Sequence, residues 1–134
     1  MNEEKKVLIK YRLSQAMDSI DEAKTLLREG KSFRSVINRL YFAMFYAVLA
    51  LLQEKQIGTS KHTGAISLFD REFIKTGIFS MDMSKMLHRA FELRQKSDYM
   101  ERVEITKQDV DEILPYTEEF IRRVEEHLNT LLSE

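Results

Sequence analysis

The stretch Arg39-Leu-Tyr-Phe-Ala-Met-Phe-Tyr-Ala-Val-Leu-Ala-Leu-Leu52 decides the fold, because every residue from Leu40 to Leu52 is apolar or aromatic. As a helix this run would span about 20 Å, which is less than the thickness of a bilayer's hydrocarbon core. A helix that is apolar on all sides must instead be buried on most of them. The stretch therefore predicts the central helix of a helical bundle, with the other segments packed around it.

The rest of the chain fits a single all-helical domain over residues 1–134. Its 134 residues can bury one core, and 43% hydrophobic and 32% charged residues are typical of a globular protein. Four glycines and one proline leave little material for β-hairpins. Apolar stripes at helical spacing predict five helices with short links, which is an all-α antiparallel up-and-down bundle.

Stripes and capping signals predict where each helix begins and ends. The predicted helices run from Glu3 to Arg28, from Phe33 to near Gly58, from Lys61 to Lys75, from Asp82 or Ser84 to about Ser97, and from the cap Thr106 to about Leu132. Ser60 is a predicted cap of the third helix. Thr106-Lys-Gln-Asp109 has the form of a capping box, with Asp where Glu or Gln is usual. Pro115 predicts a kink in the last helix.

Charge and cysteine content narrow the class of function. The formal net charge of −1 provides no overall footprint for nucleic acid, although several cations lie close together between Arg89 and Arg102. The absence of cysteine excludes disulfides and thiolate metal sites and fits a reducing compartment. No metal-binding or cofactor-binding motif is present, so neither is expected. The N-terminus has no apolar signal segment, so a cytoplasmic location without a membrane partner is expected.

Arg94 is the most informative single residue, because it continues the apolar stripe of Leu87 and Ala90 on the fourth helix. A guanidinium on that face needs acceptors, and Asp98, four residues later, can supply them if the helix continues. The simplest interpretation is a self-satisfied Arg–Asp pair that ties down the following loop. Arg39, at the polar entrance to the second helix, is most simply a snorkelling side chain.

His62 lies near the N-terminus of the third helix. The helix dipole disfavours an imidazolium there, so a neutral imidazole that can accept a proton is conceivable. The simpler interpretation is a surface or packing residue.

Three stretches together resemble the HEPN domain family. The segment from Asn38 to Leu52 is similar to the second HEPN helix. Lys61-His-Thr-Gly-Ala-Ile-Ser-Leu-Phe69, with Phe73-Ile-Lys-Thr-Gly77, resembles the next segment of the stand-alone UPF0332 branch. The segment from Arg94 to Tyr99 resembles that branch's Arg-x-x-x-Asp-Tyr signature. The resemblance covers most of the chain. It implies a homodimeric bundle, encoded in prokaryotes beside a minimal nucleotidyltransferase that acts as antitoxin to the HEPN toxin.

The resemblance also implies a catalytic motif, because many HEPN domains are metal-independent ribonucleases whose two copies form an RNA cleft at the dimer interface. Their motif is an arginine, a polar residue and, four to six positions after the arginine, a histidine. Arg94 matches the arginine and Gln95 the polar residue, but Asp98, Tyr99 and Met100 stand where the histidine would be. RNA cleavage needs a group that takes the 2′-hydroxyl proton, and an arginine stays protonated.

Four functional hypotheses remain open. The first is a non-catalytic HEPN module whose cleft binds RNA, a nucleotide or the partner nucleotidyltransferase. The second is an active metal-independent ribonuclease toxin that uses Arg94 with Asp98, Tyr99 or His62. The third makes Tyr99 the acceptor of an adenylyl group, and the fourth is a purely structural bundle. The candidate catalytic residues are Arg94, Asp98 and Tyr99, and the candidate RNA-binding or nucleotide-binding residues are Arg39, His62, Gln95 and Lys96.

Overall fold

The fold is an all-α bundle of five helices, as predicted. The structure is a computed structural model that describes residues 2–58, 62–99 and 103–133, without the side chains of residues 62 and 63. Within these ranges there is no β-strand. The elements are α1 (Glu3–Arg28), α2 (Phe33–Glu54), α3 (His62–Phe69), a π-helical turn (Asp70–Ile74), α4 (Met81–Tyr99) and α5 (Lys107–Leu132).

Helix α2 is the centre of the bundle, which confirms the interpretation of its apolar run. It packs against α1, α3, α4 and α5. Ala43, Ala47 and Ala50 are each 0% exposed, and their small side chains let the neighbouring backbones approach α2 closely. Helix α2 also supplies bulky, fully buried side chains to the core, namely Ile37, Leu40, Tyr41, Met44, Leu51 and Leu52.

Helix α2 is longer than its apolar run, since it spans 22 residues. By length and composition alone it is the one helix in the described ranges that could cross a membrane, and 61% of its most apolar window is buried inside the bundle. That burial is typical of the core helix of a soluble domain.

Three helix N-termini have side-chain caps, and the predicted cap of α5 is among them. The side chains of Asn2 and Ser32 accept the backbone N–H groups of Lys5 and Ser35, which caps α1 and α2. At α5 the Thr106 hydroxyl accepts the Asp109 N–H, and the Asp109 carboxylate accepts the Thr106 N–H in return. Aspartate therefore completes the capping box as predicted. Pro115 lies inside α5, which continues on both sides of it.

Three helix boundaries differ from the prediction. Helix α2 ends at Glu54 rather than near Gly58, because Gln56 has a positive φ of 59° and the Ile57 N–H turns back to the Leu52 carbonyl. This is the closure of a Schellman-type end, in which glycine is more usual. Helix α4 begins at Met81, earlier than the predicted Asp82 or Ser84, and ends at Tyr99 rather than about Ser97.

The third predicted helix differs more, because it is two segments. Its α-helical part ends at Phe69, and the next turn is a π-helix in which the Lys75 N–H donates to the Asp70 carbonyl. The Asp70 carboxylate is held by α4, where it accepts the Ser84 hydroxyl at 2.7 Å and pairs with His88 Nε2 at 2.7 Å. The predicted cap Ser60 and the predicted first residue Lys61 lie outside the described residues.

Candidate functional site

Arg94 lies on α4 with its guanidinium against two aromatic rings of α2. Its Cζ atom is 5.2 Å from the ring centre of Tyr41 and 5.1 Å from that of Phe42. The side chain is only 19% exposed. The apolar stripe of α4 faces α2, so an arginine on that stripe is carried onto the aromatic end of the central helix. Cation–π contacts of this kind attract the guanidinium to the faces of the two rings.

Asp98 is the ion-pair partner of Arg94, as the spacing of four residues predicts. Arg94 Nε is 3.1 Å from Asp98 Oδ2, and the Asp98 side chain is 30% exposed. The pair forms because α4 continues through Tyr99. The distance is that of an ion pair, but the N–H direction does not make it a hydrogen bond. Within the described part of the chain, the buried Arg94 Nε–H therefore has no hydrogen-bond acceptor.

Arg39 approaches the same Phe42 ring, with its Cζ atom 5.0 Å from the ring centre. Its Nη2 atom donates to the side-chain oxygen of Asn38 at 2.7 Å, and its Nη1 atom lies 3.4 Å from a Glu22 oxygen. Arg39 is therefore held by a ring, an amide and a carboxylate, rather than only snorkelling to the surface as predicted. One phenylalanine ring thus carries two guanidiniums, those of Arg39 and Arg94.

A shallow cavity of about 400 Å³ lies between the start of α2 and the end of α4. We call it the α2–α4 groove; its lining residues are Leu26, Arg34, Ser35, Asn38, Arg39, Ser97 and Asp98. Of these described lining residues, two carry a positive charge and one carries a negative charge. A larger cavity of about 640 Å³ between α1 and α5 contains none of the predicted site residues.

Arg34 is the charged lining residue that sequence reasoning missed. From the first turn of α2 its Nη1 atom donates to the Ser97 carbonyl and its Nη2 atom to the Val103 carbonyl. A signal was available, since Arg34 lies just after the cap Ser32, where the helix dipole disfavours a cation. A cation in that position needs a compensating contact elsewhere in the fold.

The remaining predicted site residues are less closely associated with the groove. Tyr99 ends α4 and is 79% exposed. Gln95 is exposed, and Lys96 Nζ lies 3.3 Å from a Glu92 oxygen, so it pairs along its own helix. His62 is the first residue of α3, but its side chain lies outside the described part of the structure. The structure thus brings together Arg39, Arg94 and Asp98.

The environment of this site favours holding an anion over abstracting a proton. Burial raises the pKa of Tyr41 to about 12, although the nearby charge of Arg94 acts to lower it. The Tyr41 phenol therefore stays neutral, and the Asp98 carboxylate is engaged by Arg94. Among the described residues, no cluster of three histidine, aspartate or glutamate side chains could hold a metal ion.

Comparison with known proteins finds a matching family model and several similar proteins. The HEPN domain model matches residues 9–127. A UPF0332 protein of Thermotoga maritima is 38% identical over 131 residues, which is 98% of each chain. A Methanocaldococcus jannaschii protein named "Putative toxin MJ0142" is 32% identical over 107 residues, covering 80% of this chain and 73% of the relative. A second protein of that organism, "Putative toxin MJ0605", is 29% identical over 117 residues, 87% of this chain and 86% of the relative.

Proposed function

The chain belongs to the HEPN domain family and its UPF0332 branch, and from that membership we propose that it is a toxin-like HEPN module that binds RNA or a nucleotide around Arg94. Relatives named as toxins support the toxin-like character. The proposal includes a homodimer and a minimal nucleotidyltransferase as antitoxin partner, both of which the family resemblance implies. It also includes a cytoplasmic location, which the absence of cysteine fits.

One observation carries the binding role: the Arg94 side chain is largely buried against two rings, and its Nε–H, although 3.1 Å from an Asp98 oxygen, makes no hydrogen bond within the described residues. A guanidinium held by aromatic rings is already desolvated and oriented, so an arriving phosphate need not order it. Arg39 on the same ring, and Arg34 in the α2–α4 groove, add positive charge beside it. A planar guanidinium can bind a phosphate group through two parallel N–H···O hydrogen bonds.

The same geometry favours binding over cleavage. Arg94 can stabilise negative charge on a phosphate but cannot accept the 2′-hydroxyl proton, because it stays protonated. The family's motif histidine is absent, and Asp98, at one of its possible positions, pairs with Arg94. The active metal-independent ribonuclease is the alternative that family membership favours. In that case another group would have to act as the base.

The decisive experiment compares wild type with Arg94→Ala in binding and cleavage of a mixed RNA pool, with a chelator present. We expect the wild type to bind RNA without cleaving it, and Arg94→Ala to weaken binding by about tenfold or more, since a charge-assisted contact to phosphate is lost. The matched control is Arg28→Ala, because Arg28 is an exposed arginine whose Nη2 donates to Thr25.

Each other result has a definite meaning. Cleavage by the wild type that disappears in Arg94→Ala would establish the ribonuclease instead. Equal binding by wild type and Arg94→Ala, or no binding by either, would contradict the proposed role of Arg94. A large loss of melting temperature in Arg94→Ala would show that the Arg94–Asp98 pair is mainly structural.

A further inference from the structure

Arg34 connects three parts of the chain that are distant in sequence. It lies in the first turn of α2, and its two terminal nitrogens donate to the carbonyls of Ser97, in the last turn of α4, and Val103, before α5. The Arg34 side chain is half-buried and lines the α2–α4 groove together with Ser97 and Asp98. One side chain therefore joins the start of α2 to the last turn of α4 and to the connection between α4 and α5.

The position of these contacts matters because the last carbonyls of a helix have no partner within it. The planar guanidinium of Arg34 presents two N–H groups at a fixed separation, so it can hold two carbonyls in one arrangement. Ser97 directly precedes Asp98, and Asp98 is the ion-pair partner of Arg94. Fixing the Ser97 carbonyl therefore limits where the Asp98 carboxylate can lie relative to Arg94.

We propose that Arg34 is a positioning residue of the Arg94 site. It holds the last turn of α4 against α2, so that Asp98 stays beside Arg94 and the α2–α4 groove keeps its shape. The effect on ligand binding rests on the proposed function, whereas the contact with the end of α4 does not. Arg34 acts here through two carbonyl contacts, not through its charge alone.

The charge-conserving substitution Arg34→Lys separates these two roles. Lysine keeps the positive charge, but its single ammonium cannot reproduce the fixed pair of donors. If Arg34 served only to attract phosphate, Arg34→Lys would keep most of the RNA affinity. If Arg34 positions α4, Arg34→Lys should weaken RNA binding although the positive charge is retained.

Amide hydrogen exchange tests the positioning directly, without any ligand. The amides of residues 96–99 close the last turn of α4 and report its opening. We expect Arg34→Lys to reduce their protection by about tenfold, while protection in the middle of α2 is unchanged. Arg28→Lys is the matched control, because Arg28 lies at the end of α1 and its Nη2 contacts the side chain of Thr25 in its own helix. Unchanged protection in residues 96–99, or an equal loss throughout the bundle, would overturn the proposal.

A double-mutant cycle then tests the connection to Arg94. RNA binding is measured for wild type, Arg34→Lys, Arg94→Ala and the double variant. If Arg34 acts through the geometry of Arg94 and Asp98, Arg34→Lys should weaken binding in the wild type but add little to Arg94→Ala. Fully additive losses would overturn the positioning role in favour of a direct phosphate contact. A local loss of protection with no RNA binding by the wild type would refute the proposed function and leave the positioning of α4 by Arg34 supported.

Discussion

Two groups of aromatic rings in this bundle have different neighbours. In the phenylalanine cluster (Phe69, Phe73, Phe79 and Phe120) the rings mainly meet one another, with Phe69 and Phe120 centred 5.4 Å apart and Phe69 and Phe73 centred 5.9 Å apart. In the cationic aromatic cluster (Tyr41, Phe42, Arg39 and Arg94) the Phe42 ring lies 5.0 Å and 5.1 Å from two guanidiniums.

The two clusters differ in the exposure of Phe42 and of the cations beside it, since the Tyr41 ring is as buried as the rings of the first cluster. Phe69, Phe73 and Phe120 are each 0% exposed, and they join α3, the π-helical turn and α5. Phe42 is half-buried, and the two arginines on its ring are 31% and 19% exposed. The first cluster has one cation beside it, since Lys55 Nζ lies 5.1 Å from the Phe73 ring centre, but its rings mainly pack against one another. In the second cluster a single half-buried ring holds two guanidiniums, and that of Arg39 lines the α2–α4 groove. Aromatic content alone therefore does not distinguish the two clusters, whereas two arginines on one half-buried ring do.

The largest expected effect on stability comes from removing one ring of the phenylalanine cluster. Phe120→Ala should lower the free energy of unfolding by about 3–5 kcal/mol, because it removes a fully buried ring and leaves a cavity. RNA binding by the remaining folded protein should be unchanged, since Phe120 is not among the residues around Arg94. Denaturant unfolding, followed by binding measured below the unfolding transition, checks both statements.

Phe42→Ala is the matched change in the cationic aromatic cluster. It should lower stability less than Phe120→Ala, because Phe42 is only half-buried, but weaken RNA binding more, because two guanidiniums lose their support. If both variants lost stability and binding in the same proportion, the distinction between the two clusters would be wrong.

A smaller effect is expected from Asp98→Asn, which removes the one carboxylate among the described residues that line the α2–α4 groove. If the groove binds phosphate, the Asp98 carboxylate competes with it for Arg94. Asparagine keeps a side-chain oxygen that can still orient Arg94, but it lacks the charge that competes with phosphate. Asp98→Asn should therefore strengthen RNA binding, by about three- to tenfold at low salt. Titration of labelled RNA at two salt concentrations measures this change.

The control for Asp98→Asn is Asp111→Asn, which removes an exposed carboxylate that pairs with Lys107 on α5. Asp111→Asn changes the net charge by the same amount as Asp98→Asn, but Asp111 does not line the α2–α4 groove. Equal gains in both variants would mean that only overall charge matters. A loss of binding in Asp98→Asn would instead make Asp98 a contributor to the site.

Most of the fold was predictable because its signals are local. The apolar run of α2 predicts a central helix, and the pairing of Thr106 with Asp109 predicts where α5 begins. The π-helical turn was not predictable, since the Asp70 contacts that accompany it are with Ser84 and His88, 14 and 18 residues away. The early end of α2 depends on Gln56 adopting a positive φ, which its residue type does not indicate.

The candidate site also has one part that the sequence predicts and another that depends on tertiary packing. The Arg94–Asp98 pair follows from the spacing of four residues on one helix. The rings beneath Arg94 belong to α2, and Arg34 reaches carbonyls 63 and 69 residues away, so only tertiary packing brings these groups together. For Arg34 the one local signal was its position at a helix N-terminus, because a cation is unfavourable there.

The smallest expected effect is a pH dependence from His127, which lies edge-on to the phenylalanine cluster, 5.3 Å from the Phe79 ring centre. Burial lowers the pKa of His127 from its ordinary value of 6.5; Glu54 acts to raise this pKa and Lys55 to lower it. The unfolded chain therefore takes up a proton at this residue before the folded chain does. Stability from the neutral imidazole is present above about pH 6.5 and is lost as the pH falls towards the lower folded-state pKa.

His127→Gln isolates this contribution, because glutamine is neutral throughout the range. Between about pH 7.5 and pH 5.5 the unfolding midpoint of the wild type should fall more than that of His127→Gln. Glu119 does not interfere, since hydrogen bonds from Arg122 and Arg123 lower its pKa to about 2 and its ordinary value is 4.5. Parallel pH profiles would show that His127 has the same pKa in the folded bundle and in the unfolded chain. The rings of the phenylalanine cluster would then not shield His127 from water.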